Sequence, residues 1–145
     1  MKQFVFALQP LYDMQESNEK KMKLQMVGIE EELLKRKKDL ELLNKNFIKV
    51  SEDYRNSVSR GMQASKIKEY GEFFERLKAV IALVQEKIDY LENEKEKCLQ
   101  KLVQIRKEKK LLDKLRESKY EEYMEESKKQ QDKRVDDLIS YKTSV

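Results

Sequence analysis

Along two long stretches of this chain an apolar side chain recurs every 3.5 residues, a spacing that commits a sequence to helices paired along a seam. From Phe4, alternating steps of four and three reach Leu8, Leu11, Gln15, Asn18 and Met22. A second step of four gives Met26, and the row continues through Ile29, Leu33, Arg36, Leu40, Leu43, Phe47, Val50 and Tyr54. Twelve of these fifteen positions are apolar. The doubled step is a stutter, which locally unwinds a supercoil. A second row runs Ile67, Tyr70, Phe74, Leu77, Ile81, Val84, Ile88, Leu91, Lys95, Cys98, Leu102, Ile105, Lys109 and Leu112, apolar at twelve of fourteen positions.

Between the rows the period fails over Ser57–Lys66, where Gly61 stands among serines that can cap helix ends. Gly61 is the predicted reversal, and Ser65 is the predicted cap of the second helix. Pro10 has no N–H to donate and suits a first helical turn, so helix one is predicted to begin beside it. The expected architecture is all-α: a single domain over residues 1–145, with helix one about 10–56, a turn about 57–65 and helix two about 66–141. At ~1.5 Å per residue, folding the two helices back on each other brings residue 4 opposite roughly residue 116, where the second apolar row fades. The last thirty or so residues then project as a helical overhang. A lone helix of that kind is marginal in water without something to pack on.

Composition narrows the function. With 3 glycines, 1 proline and 41% charged residues, the chain has too few turn formers for a fold of many corners. It has no histidine and one cysteine, so neither a histidine base nor a zinc site nor a disulfide framework is available. Carboxylate pairs such as Glu121–Glu122 lie on a helix with no cleft to shift a pKa. The chain is therefore expected not to be an enzyme and to need no cofactor or metal. Its 32 basic and 28 acidic residues interleave, which describes a solvated helix surface rather than a nucleic-acid footprint. The apolar run Phe4–Leu8 is far shorter than the ~18 residues of a membrane span. The single Cys98 fits a reducing interior, so a cytoplasmic protein is expected.

Two features have functional potential. Phe47, Val50 and Tyr54 on helix one, with Phe73, Leu77, Val80 and Val84 on helix two, form apolar stripes near the turn. Adjacent Phe73 and Phe74 point about 100° apart, so only one lies centrally in a seam. The stripes are either a slightly wide seam or a partly exposed patch that docks a partner. Residues 106–116 carry six basic groups against two acidic ones, a denser basic stripe near the paired ends.

The chain resembles the FliJ family, the small coiled-coil component of the bacterial flagellar type III export apparatus. The resemblance rests on Phe6-Ala7-Leu8-Gln9, on Tyr54-Arg55-Asn56, and on Ile67, Tyr70, Phe73-Phe74, Leu77 and Ile81 after a glycine-bearing loop. Gln131-Asp132-Lys133-Arg134-Val135-Asp136-Asp137 is similar to the family's end, whereas Pro10 departs from the usual non-proline residue. The resemblance implies a long antiparallel coiled coil similar to the central stalk of rotary ATPases. It implies that the open end binds the hexameric flagellar export ATPase and promotes its assembly and activity. It also implies a loop-proximal contact with the cytoplasmic domain of the export gate, recycling of export chaperones, and hence a need in flagellum assembly and motility. The gate residues carry over to Leu43, Phe47, Val50, Tyr54, Phe73, Leu77, Val80 and Val84, which favours the docking reading of the stripes. Arg106, Lys110, Lys114 and Arg116 are the candidates for the ATPase contact. Peripheral association with the inner membrane through the apparatus is expected, without insertion. The alternatives are a stalk protein of a related type III secretion system or rotary ATPase, and a self-associating coiled-coil scaffold, which would hold residues 4 and 116 far apart.

Overall fold

The chain reverses once, and Gly61 makes the reversal. Its φ of +91° lies in the left-handed region that side chains with a Cβ avoid. Its N–H donates to the Val58 carbonyl over 3.1 Å and closes the end of the first helix. The computed structural model describes residues 2–144. It contains α1 (Gln9–Ser59) and α2 (Ala64–Ser144) and, among the described residues, no strand. The two helices pack antiparallel as a hairpin. The connecting segment is shorter than the serine-rich stretch suggested, because three residues on from Gly61 are enough to launch α2. Ser65 is not the cap. It sits within the first turn of α2, and the Gln63 carbonyl accepts from the Lys66 and Ile67 amides at 3.0 and 3.2 Å. Pro10 occupies the first turn of α1.

Packing divides the chain into two units: residues 22–101, and residues up to 21 together with those from 102 onward. In the first unit the core is Leu33, Ile88 and Leu91, with Ile29, Leu40 and Val84 packed against it. Leu77 and Cys98 are also buried, and the Cys98 thiol donates to the Met22 carbonyl at 3.4 Å. Met22 opposes Cys98 while Phe47 opposes Phe74 and Tyr54 opposes Tyr70, so the register runs antiparallel. Lys37–Glu92, Lys87–Glu32 and Lys95–Glu30 bridge the helices at 3.3 to 3.8 Å on exposed flanks. Pairs of this kind contribute less than about 1 kcal/mol each. Arg36 lies in the seam as the spacing predicts. It pairs along its own helix with Asp39 at 3.7 Å, not across to α2.

In the second unit the residues that broke the apolar rows face one another. Gln15 donates to Glu108, Asn18 donates to Gln15, and Lys109 meets Glu19 at 3.6 Å with its ammonium 5.3 Å above the Tyr12 ring. Slipping either helix would set these polar groups against apolar neighbours, so the layer fixes the pairing.

Ahead of α1 and in its first turn the row fails. Leu8 and Leu11 are exposed, whereas Phe6 is buried. Residues 2–6 carry no regular helix, and their side chains alternate: Phe4 and Phe6 turn inward and Val5, between them, is 81% exposed. Extended chain covers about 3.3 Å per residue against about 1.5 Å in a helix, so this segment reaches further along α2 than helical spacing allows. Phe4 accordingly packs edge-on against Tyr120 at 5.3 Å and beside Tyr123 at 5.6 Å, beyond the expected position 116. The Tyr123 hydroxyl donates to the Lys2 carbonyl at 2.5 Å. The overhang is correspondingly shorter than thirty residues: continuous exposure begins at 128 and runs to 144.

Candidate docking surfaces

Five aromatic rings gather where the helices approach the reversal. Phe47 and Tyr54 of α1 meet Phe74 of α2 edge-on at 5.5 and 5.9 Å. Tyr54 lies 5.2 Å from Tyr70, and Phe73 stands 6.1 Å from Phe74. Helical spacing explains the division of labour. Tyr70 and Phe74 are four apart on one face and fill the seam, while Phe73 is rotated about 100° to its edge.

A groove lies beside these rings on each flank of the seam. One, of about 430 Å³, has a floor of Phe47, Tyr54 and Phe74 and a rim of Ser51, Arg55, Val58 and Lys78. The Ser51 hydroxyl is turned away to the Phe47 carbonyl at 2.7 Å, so the rim is dominated by its two cations. The other groove, of about 390 Å³, is lined by Val50, Tyr70 and Phe73 with Asp53, Lys66 and Glu69.

These grooves divide the predicted gate residues. Phe47 and Tyr54 enter the first groove, Val50 and Phe73 the second. Leu77, at 7% exposure, lies in the seam; Val84 packs on the core, and Leu43 is half-buried. Val80 is 44% exposed, and Leu83, unremarked in the sequence, is 65% exposed. Phe73, Val80 and Leu83 are spaced seven and three apart, so they share one face of α2. Arg55 and Lys78 were also missed as site residues. Arg55 lies within the Tyr54-Arg55-Asn56 motif, but Lys78 has no signal beyond being one of many lysines. In the second unit Arg106, Lys110, Lys114 and Arg116 are all exposed. The first three, four residues apart, form one stripe. Arg116 lies off it, in a shallow groove with Phe4, Asp113, Glu117 and Tyr120.

Among the described residues no group of three or more His, Cys, Asp or Glu side chains is placed to hold a metal ion. No helix there is long and apolar enough to cross a membrane. An all-helical hairpin with a filled seam and aromatic-floored grooves on its flanks defines a coiled-coil protein. The chain matches the family described as "Flagellar FliJ protein" over residues 3–144, and it belongs to that family. Its role accordingly lies in flagellar protein export. No curated protein and no solved structure matches it.

Proposed function

We propose that this chain is the stalk and adaptor of the flagellar export apparatus. Its loop end docks the cytoplasmic domain of the export gate, and its open end binds the hexameric export ATPase and promotes ring assembly and hydrolysis. It also returns emptied export chaperones for reuse, and its place in the cell is the cytoplasmic side of the inner membrane, held there by its partners. The observation that carries the reading is the ledge of Phe73, Val80 and Leu83. It is apolar surface that the seam does not cover, beside two grooves, on a chain with 41% charged residues. The stripe of Arg106, Lys110 and Lys114 supports the ATPase half of the reading, with Arg116 standing apart from it.

The test is direct binding of the gate's cytoplasmic domain to Phe73→Ala with Val80→Ala. Losing a central aromatic and its neighbour from an interface is expected to lower affinity by about tenfold or more, with motility reduced and helix content unchanged. Unaltered affinity and motility would remove the ledge from the interface. Leu77→Ala is unsuitable for this purpose, because emptying a buried leucine site costs about 2–5 kcal/mol of stability and confounds the reading.

A further inference from the structure

The two loop-end grooves differ in charge, and the difference specifies a ligand. In the first groove the only ionisable rim groups other than the Tyr54 phenol are Arg55 and Lys78, one from each helix, over the Phe47, Tyr54 and Phe74 rings. Neither cation takes part in an ion pair among the described residues, although Glu52 and Glu75 lie three positions before them on the same helices. The second groove presents Asp53 and Glu69 against Lys66, a rim already mixed in sign. Two long cationic side chains flanking an aromatic floor fit a segment with an apolar side chain for the floor and a carboxylate for the rim. Arg55 can take that carboxylate through two parallel N–H bonds while Lys78 approaches it as a point charge.

We infer that the Arg55–Lys78 groove binds an acidic, apolar-anchored segment of the gate's cytoplasmic domain, on the flank opposite the one that Phe73 lines. This rests on the loop-end docking reading and adds to it a charge-reading subsite. A protein segment fits better than an anionic bilayer. A bilayer gains about 1 kcal/mol per basic group near its surface, and here only two cations flank a concave aromatic floor, with Glu52 and Glu75 a turn away on their helices.

The experiment measures affinity of the gate's cytoplasmic domain at about 100 and 500 mM salt, across the range where screening of exposed charges becomes nearly complete. The proteins are the full chain, Arg55→Glu with Lys78→Glu, Arg55→Gln with Lys78→Gln, and Lys35→Gln with Lys38→Gln, two exposed cations that line neither groove. Circular dichroism verifies that each remains helical. The expected result is a loss of about tenfold or more for the Glu pair at low salt. The Gln pair should show a smaller loss and a flatter salt dependence, and the Lys35/Lys38 pair near-unchanged affinity. Equal losses from the Lys35/Lys38 pair and the Arg55/Lys78 pair would overturn the subsite, as would gate binding indifferent to Arg55 and Lys78. Capture by anionic vesicles that depends on Arg55 and Lys78, without a matching effect on the gate, would also overturn it. Absence of gate binding by the unsubstituted chain would instead overturn the loop-end reading itself.

Discussion

At the scale of single residues, three glycines in a chain of 145 do opposite things. Gly61 holds φ at +91°, and a Cβ built there meets nothing within 4 Å, so the obstacle to any other residue is its own backbone. Gly61→Ala is expected to cost about 1–2 kcal/mol, the penalty of placing an L-residue in that region. Gly28 and Gly71 lie inside helices, and an added Cβ again meets nothing within 4 Å. Gly28→Ala and Gly71→Ala should each stabilise by about 0.5–1 kcal/mol, through helix propensity alone. Thermal unfolding followed by circular dichroism separates the three, and a rise in melting temperature for Gly61→Ala would contradict the account of the turn. Residue chemistry also explains what was readable. A row of side chains at 3.5-residue spacing has one physical solution, and every α1 position of it from Gln15 to Tyr54 is buried or half-buried. Which lysines flank a groove depends on the rings of the opposite helix, and nothing local to Lys78 encodes that.

At the scale of elements, the two helices were legible and the segment before them was not. Phe4, Leu8 and Leu11 satisfy helical spacing on paper, but Phe4 and Phe6 satisfy extended spacing equally well, and five residues are too few for period alone to arbitrate. Pro10 tips the balance by starting α1 late, after which alternate phenylalanines reach Tyr120 and Tyr123. This alters where the C-terminal end of α2 can be removed harmlessly. Deleting residues 128–144, all exposed, should leave the melting temperature nearly unchanged while weakening ATPase stimulation. Deleting from residue 117 onward also removes both tyrosines that hold Phe4, and should expose the N-terminal segment to proteolysis near Lys2. Limited digestion of the two truncations decides the matter: equal resistance would mean that the tyrosines do not hold the segment.

At the scale of the whole molecule, most positions of the two apolar rows face each other within one chain, with Leu8, Leu11 and Ile67 as exposed exceptions. Three of the five polar exceptions, Gln15, Asn18 and Lys109, meet in one layer with Glu19 and Glu108. Hairpin and family are therefore legible in the sequence, whereas the surfaces left for partners are what remains after packing and have no local sequence signal. The one thiol in the chain acquires a use from its place in the seam. Cys98 is 3% exposed, with its sulfur 3.4 Å from the Met22 carbonyl of the facing helix. A maleimide should therefore react only in the moments when α1 and α2 part there, at a rate set by local opening rather than by reagent access. A partner that clamps the hairpin would slow that labelling and one that pries it apart would hasten it, so the native chain already contains a built-in stopwatch for how its partners handle it.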